Sequence, residues 1–199
     1  MDGYYDYGPT IQLERHIAIF GLLADETRTV AYRVSAIFGL PVTDVDRTIE
    51  HSAGRSVWDL IWSQGEARYR ELEDVHARAA IRARPLGVIS LGDGALISEP
   101  LRRHLLAETD VIALDMDLAN CYWRLQGTER SKADYWHPLH PGPLERLEQV
   151  KPFFSQRRPA LDAAHHRVEL GGSSVERAAR QVAAVVTRLQ VPQTPAQAG

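Results

Sequence analysis

The loop that follows the first apolar run of the chain is the clearest candidate for chemistry. The apolar run covers residues 16–20, and the loop covers residues 21–29, with the sequence GLLADETRT. In a parallel α/β fold this loop is where a ligand phosphate normally sits, because backbone N–H groups and the N-terminus of the next helix point there. The position therefore predicts a phosphate site, and the residue types decide whether phosphate can bind.

Other polar residues have spacings that allow chemistry but also have simpler interpretations. Arg70 lies four residues after Glu66 and three before Glu73, which suits ion pairs on a helix surface. His137 and His140 have a metal-ligand spacing, but no third ligand of fitting spacing accompanies them. Solvated loop histidines are the better interpretation, so the sequence predicts no metal site.

Hydrophobic periodicity predicts the elements that must position these residues. Short apolar runs bounded by turn residues predict buried strands at residues 16–20, 87–91, 111–114 and 167–170. Within residues 65–84, helical spacing predicts a buried stripe at Tyr69, Leu72, Val75, Ala79 and Ala83. Strands that alternate with helices predict a parallel sheet covered on both faces, which is a three-layer α/β/α fold.

The same pattern indicates one domain with flexible ends. Residues 1–12 are expected to be a flexible leader, residues 13–190 the domain, and residues 191–199 a flexible tail, because the ends have no apolar period to bury. Residues 126–143 combine Gly, Pro, His and charged residues without a clear apolar period. This composition predicts a lid within the domain.

Composition excludes several function classes. The 199 residues contain 23 Lys and Arg against 26 Asp and Glu, a net charge of −3, so no overall positive field attracts nucleic acid or an anionic membrane. A single cysteine, Cys121, cannot form an internal disulfide, which suits a reducing compartment. No apolar run approaches the roughly 20 residues that span a bilayer, and no basic and apolar leader is present. The expected location is the cytoplasm.

Several separated blocks of the chain resemble the shikimate kinase family. These blocks are Asp44-Val45-Asp46, Gly54-Arg55-Ser56, Gly65-Glu66, Tyr69-Arg70, Glu73, SLGDGA at 90–95 and QRRP at 156–159. Their order and spacing are similar from about residue 16 to 190, and the first loop resembles the family's nucleotide loop, G-x4-G-K-S/T after an apolar strand. The resemblance implies a five-stranded parallel sheet of nucleoside-monophosphate-kinase type with a small substrate-binding subdomain and a lid.

The nucleotide loop departs from the family at its key positions. Gly21 matches the first glycine, but the resemblance places Glu26 at the second glycine, Thr27 at the phosphate-gripping lysine and Arg28 at the Mg²⁺-binding serine. Loss of the lysine removes the charge that meets the outer phosphates. Two like charges about 4 Å apart repel by about 1–4 kcal/mol at effective dielectric constants of about 80 to 20, so Glu26 should repel triphosphate. His137 stands at the lid arginine, and neutral histidine is a poor substitute. No cofactor and no metal are therefore expected.

The substrate half matches the family better. The resemblance implies that Asp46 binds ring hydroxyls and that Arg70 and Arg157 hold the carboxylate of shikimate. An arginine pair suits a carboxylate, and an aspartate suits vicinal hydroxyls because it accepts two hydrogen bonds. The alternative for these three residues is a structural group of salt bridges. Asp44 matches the family's metal-side aspartate, but without the serine or phosphate it has little reason to hold a metal.

The glycine-rich loop that approaches the substrate ring in the family is partly kept. Gly92 and Gly94 match two of its three glycines, and the resemblance implies that both are substrate-binding. Asp93 replaces the middle glycine. It adds a carboxylate between the two ligand sites and puts one backbone contact to the substrate in doubt.

The resulting hypothesis is a shikimate-kinase-like pseudokinase with a degenerate nucleotide loop and a pocket for shikimate or a related hydroxylated ring carboxylate. It would act as a ligand-binding or regulatory protein, with an enzyme of aromatic amino acid or secondary metabolism as the candidate partner. Two alternatives stay open. One is a non-kinase enzyme that reuses the pocket for dehydration or isomerisation, with Asp46 as base. The other is a divergent shikimate kinase, a transferase with residual activity.

Overall fold

The computed structural model of the protein describes residues 11–131, 144–170, 172 and 174–189. Five strands form one parallel sheet: β1 (His16–Gly21), β2 (Val42–Asp44), β3 (Val88–Ser90), β4 (Thr109–Asp115) and β5 (His166–Glu169). The strand order is β2-β3-β1-β4-β5. In the centre of the sheet, Ala18 of β1 lies opposite Ile89 of β3 and Val111 of β4. The predicted strands and the predicted five-stranded parallel sheet are thus confirmed.

Eight helices connect and cover the strands in the described ranges. They are α1 (Ala24–Phe38), α2 (Val45–Ala53), α3 (Val57–Gln64), α4 (Glu66–Arg82), α5 (Glu99–Glu108), α6 (Leu118–Ser131), α7 (Leu147–Ala163) and α8 (Val175–Leu189). Helices α1 and α8 pack against each other, and α5 and α7 contact β4. The result is the predicted three-layer α/β/α fold. Within the described ranges, no helix is both long enough and apolar enough to cross a membrane.

The sheet is the centre of the hydrophobic core, because its strands are covered on both faces. All six residues of β1 are buried, and Ile17 and Ile19 are fully so. This explains why β1 reads as a continuous apolar run rather than an alternating one. Parallel strands place their carboxyl ends on one edge of the sheet. Gly21, Asp44 and the loop after Ser90 therefore lie on the same edge.

The start of α2 orders the acidic residues at this edge. Asp44 ends β2 and is the N-cap of α2, where its side chain accepts a hydrogen bond of 3.2 Å from the backbone N–H of Arg47. This is a favoured arrangement, since the carboxylate satisfies an otherwise unpaired amide and faces the positive end of the helix dipole. Asp46 consequently lies in the first turn of α2, directly beside the sheet edge.

The structure differs from the sequence-based expectations at two places. Val75 of the predicted stripe in α4 is 61% exposed, and Ala79 and Ala83 are exposed as well. The buried face of α4 instead contains Glu73, Ala77 and Ala80, so the predicted face was wrong from Val75 onward. Helix α6 continues to Ser131, so the first part of the expected lid at 126–143 is helical. Residues 132–143 of that lid, the leader up to residue 10 and the tail at 191–199 lie outside the described residues.

Candidate ligand site at the carboxyl edge of the sheet

The loop after β1 turns directly into α1, and its side chains are committed to internal contacts. Helix α1 begins at Ala24, so Asp25 and Glu26 lie in its first turn. Thr27 is buried and its hydroxyl donates a 2.9 Å hydrogen bond to the backbone carbonyl of Leu23. A Cβ on Gly21 would lie 2.9 Å from the Thr27 hydroxyl oxygen and 3.1 Å from the Leu114 Cβ, so the backbone of β1 is closely packed at this point.

Arg28 bridges the loop and the strand ends. Its Nε donates to Asp44 Oδ2 at 2.6 Å and its NH1 to Asp25 Oδ1 at 3.0 Å, while its NH2 lies 3.7 Å from Asp46 Oδ2. Burial by itself would lower the pKa of Arg28, but attraction to Asp44 and the hydrogen bond to it outweigh burial and raise that pKa. The guanidinium is therefore a fixed cation held between three carboxylates.

Glu26 contacts a partner that is distant in the sequence. Its Oε1 accepts a 2.6 Å hydrogen bond from NH1 of Arg124 in α6, and NH2 of Arg124 donates to the backbone carbonyl of Leu170 at 3.1 Å. The other carboxylate oxygen of Glu26, Oε2, is buried without a hydrogen bond in the part of the chain that the structure describes. The first turn of α1 thus carries a carboxylate that is anchored to α6.

A buried network of two carboxylates and a tyrosine lies behind Arg28. The Tyr69 hydroxyl in α4 donates to Asp46 Oδ1 at 2.8 Å and lies 3.3 Å from Glu73 Oε1. Because a phenol has one proton, it can donate to only one of the two carboxylates at a time. Burial raises the pKa of Asp46 to about 6, with the Tyr69 hydrogen bond acting in the opposite direction. Burial likewise raises the pKa of Glu73 to about 7, although attraction to Arg70 opposes it.

Arg70 and Arg157 both contact the carboxylate of Asp93. Arg70 NH2 lies 3.3 Å and Arg157 NH2 lies 3.5 Å from Asp93 Oδ1. Arg70 also donates to Glu73 Oε2 at 2.7 Å and to Glu66 Oε1 at 3.0 Å. The pKa of Arg70 is raised, because attraction to Glu73 and Asp93 outweighs the lowering effect of burial. The pairing of Arg70 with Glu66 and Glu73, the alternative interpretation of Arg70, is thus present, but Glu73 is buried rather than on the helix surface.

Arg157 is unusually enclosed for an arginine, with 2% of its surface exposed. Its Nε donates to the backbone carbonyl of Asp93 at 3.0 Å, and its NH1 donates to the backbone carbonyl of Phe153 at 3.3 Å. Its Cζ atom lies 3.7 Å from the centre of the Phe153 ring, which adds a cation–π contact. These contacts hold the guanidinium in place from three directions.

The two glycines of the loop after β3 are required by this packing. A Cβ on Gly92 would overlap the Glu73 carboxylate and the Tyr69 hydroxyl, and a Cβ on Gly94 would overlap the guanidinium of Arg70. The backbone therefore approaches both polar groups as closely as glycine allows. This close approach is the physical reason for glycine on both sides of Asp93.

The structure brings most of the sequence-predicted residues together. Asp46, Arg70 and Arg157 are linked through Tyr69, Glu73 and Asp93 at one end of the sheet. The sequence predicted Tyr69 as a buried residue of α4, which is confirmed, but indicated no hydrogen-bonding role for it and no role for Arg124. It also did not predict that Asp93 contacts both arginines. His137 and His140 lie outside the described residues. That Asp46, Arg70, Arg157, Gly92 and Gly94 bind a ligand stays a prediction.

Two further observations concern metal binding and the position of the cavity. Among the described residues, no group of three or more His, Cys, Asp or Glu side chains is arranged to hold a metal ion. An open cavity of about 760 Å³ lies along α7, and its lining residues are Phe154, Ser155, Arg158, Pro159, Asp162 and Ala163. None of these lining residues belongs to the cluster around Asp93.

The fold and the position of this cluster define a class of protein. A parallel sheet of order β2-β3-β1-β4-β5, covered by helices on both faces, defines a doubly wound α/β protein, a class in which ligands generally bind outside the carboxyl ends of the strands. The family model for shikimate kinase matches residues 28–187, so its match begins just after Thr27. The chain belongs to the shikimate kinase family.

Individual relatives agree with this assignment. The chain is 30% identical to the shikimate kinase of Salinibacter ruber over 178 residues, covering 88% of this chain and 86% of that protein. It is also 30% identical to the shikimate kinase of Mycobacterium tuberculosis over 175 residues, covering 87% and 93%. The fold is similar to that of Acinetobacter baumannii shikimate kinase in complex with shikimate, with a TM-score of 0.75, 22% identity, and coverage of 89% of this chain and 95% of the other.

Proposed function

We propose that the protein is a non-catalytic member of the shikimate kinase family, which does not transfer a phosphoryl group from ATP and binds a hydroxylated ring compound. Shikimate and related ring carboxylates are the first candidate ligands. The observation that carries the proposal is the position of Arg28. Its guanidinium is bound to Asp44 and Asp25 at 2.6 and 3.0 Å, so it is not available to a phosphate.

The charges around α1 support the absence of nucleotide binding. The N-terminus of a helix attracts anions through its unpaired N–H groups and its dipole. Here the first turn of α1 already carries Asp25 and Glu26, and Glu26 is held by Arg124. These two carboxylates occupy the helix N-terminus together with their partners Arg28 and Arg124, and the loop has no lysine that could meet a triphosphate. ATP with Mg²⁺ therefore does not fit the residues present.

The other half of the cluster supports ligand binding. The A. baumannii protein is described in complex with shikimate. In this chain Asp46, Arg70 and Arg157 are linked through Tyr69, Glu73 and Asp93. The resemblance implies that Asp46 binds ring hydroxyls and that the two arginines hold a carboxylate, which would have to displace Asp93. A regulatory role would in addition require a partner enzyme, for which an enzyme of aromatic amino acid or secondary metabolism is the candidate.

The test is a pair of calorimetric titrations, one with ATP and Mg²⁺ and one with shikimate, followed by an assay of ADP release with both present. We expect binding of shikimate, no measurable binding of ATP and no ADP release. Micromolar ATP binding or shikimate-dependent ADP release would instead support a divergent shikimate kinase with residual activity.

A second candidate is an enzyme that dehydrates or isomerises a ring carboxylate with Asp46 as general base. The observation that favours it is the pKa of Asp46, which burial raises to about 6, because a base with a pKa near the working pH is the more effective catalyst. Proton abstraction without a cofactor would exchange ring hydrogens with solvent. If wild type incorporates deuterium from solvent into the ring carboxylate and Asp46→Asn does not, this candidate is supported. No incorporation with wild type would contradict it.

A further inference from the structure

Two arginines and one carboxylate of the chain form a closed unit beside β3. Asp93 Oδ1 contacts NH2 of Arg70 and NH2 of Arg157 at 3.3 and 3.5 Å, and Asp93 and Arg157 are almost fully buried. The three side chains come from the loop after β3, from α4 and from α7. Guanidinium groups that converge on one carboxylate from separate elements have the arrangement with which proteins hold a carboxylate ligand.

We propose that Asp93 is the specificity-determining residue of this site and acts as an internal competitor for ligand carboxylates. Its carboxylate lies between Arg70 and Arg157, in the position that the carboxylate of a ligand would take. An entering carboxylate meets two cations that are already neutralised and must displace Asp93, whereas an uncharged ring compound need not. The site therefore favours uncharged hydroxylated rings over the corresponding ring carboxylates.

The two arginines would remain in place without the Asp93 carboxylate. Arg157 is also held by the backbone carbonyls of residues 93 and 153 and by the Phe153 ring. Arg70 is also held by Glu73 at 2.7 Å and by Glu66 at 3.0 Å. Removal of the carboxylate should therefore leave a preformed anion site rather than a collapsed one.

Formate tests this inference without reference to any ring ligand, because formate has the size of the group that Asp93→Ala removes. The melting temperature of Asp93→Ala should rise with formate concentration and reach a plateau. This increase should exceed the increase produced by chloride at equal ionic strength. The controls are wild type, Asp93→Asn and Asp74→Ala, the last of which removes a half-buried partner of Arg78. In these proteins formate and chloride should change the melting temperature equally. An equal response of Asp93→Ala to both salts would overturn the inference.

A second experiment measures the preference between a charged and an uncharged ring ligand. The choice of a ring compound as ligand rests on the proposed function, so this experiment tests the inference and the proposed function together. Shikimate and its uncharged methyl ester are titrated into wild type and into Asp93→Asn. Because Asp93→Asn changes the side chain less than Asp93→Ala, this test remains decisive if Asp93→Ala fails to fold. We expect the ratio of shikimate affinity to ester affinity to rise by about tenfold or more in Asp93→Asn. An unchanged ratio with measurable binding would overturn the role of Asp93. If formate raises the melting temperature of Asp93→Ala but neither ring compound binds, the role of Asp93 as competitor is supported and the proposed ring ligand is contradicted.

Discussion

Arg28 Nε lies 2.6 Å from Oδ2 of Asp44, a carboxylate whose side chain is 4% exposed. The pair joins α1 to the end of β2, and Asp44 in turn caps α2. A residue of the loop after β1, where the sequence predicts a phosphate site, thus joins the two elements at the edge of the sheet.

This relationship predicts that Arg28→Ala is destabilising. The substitution leaves the carboxylate of Asp44 buried with one partner fewer, which should lower the free energy of unfolding by roughly 1–3 kcal/mol. Urea unfolding at neutral pH measures the change. Arg33→Ala in the same helix is the control, because Arg33 and Glu176 are more than half exposed, and it should change stability by less than about 1 kcal/mol. Equal effects of the two substitutions would contradict the structural role of Arg28.

Rebuilding the nucleotide loop should restore part of its affinity. The triple variant Glu26→Gly, Thr27→Lys and Arg28→Ser removes the carboxylate held by Arg124 and adds the missing cation, so it should bind ATP with Mg²⁺ more tightly than wild type. Calorimetry measures the affinity, and Thr27→Lys alone is the control, which should gain less because Glu26 remains. No gain in the folded triple variant would show that the loop is not a former nucleotide site. Catalysis is not expected to return while Asp93 remains.

Gly92→Ala should destabilise the protein, because its Cβ would overlap the Glu73 carboxylate and the Tyr69 hydroxyl. Overpacking of this kind costs roughly 1–3 kcal/mol. Gly127→Ala in α6 is a control of opposite sign, since Gly127 is exposed with open space around it and alanine favours a helix by about 0.5–1 kcal/mol. Thermal unfolding of both variants measures the difference. A neutral Gly92→Ala would mean that the loop is not packed as described.

The stability of the protein should depend on the protonation of Asp46. Its pKa is about 6 in the native state and lower when unfolded, so the native state binds the additional proton between about pH 4 and pH 6. The contribution of Asp46 is therefore fully present below its unfolded pKa and is lost as the pH rises through 6.

Asp46→Asn should remove this dependence. The stability of wild type relative to Asp46→Asn should fall by on the order of 1 kcal/mol between about pH 5 and pH 7.5. Urea unfolding at several pH values measures it, with Glu71→Gln, an exposed carboxylate of α4, as the control. A difference that is constant with pH, or one that grows as the pH rises, would contradict the assignment.

Local patterns determined most of the fold. The apolar runs at residues 16–20, 87–91, 111–114 and 167–170 became β1, β3, β4 and β5, because buried parallel strands are apolar on both faces and stand out in a sequence. The predicted stripe of α4 was wrong at Val75, Ala79 and Ala83, which are exposed. The buried face includes Glu73, which pairs with Arg70, and a hydrophobic pattern treats every carboxylate as exposed.

Only the tertiary structure decided how the charges are paired. Asp93 meets Arg70 and Arg157 from positions 23 and 64 residues away, and Glu26 meets Arg124 from 98 residues away. Such pairs depend on how α1, α4, α6 and α7 pack on the sheet, and no local periodicity records that packing. The resemblance visible in the sequence singled out Asp46, Arg70 and Arg157 as candidate ligand residues and Asp93 as an added carboxylate. The fold placed that carboxylate between the two arginines, because α4 and α7 bring Arg70 and Arg157 to the loop that follows the carboxyl end of β3.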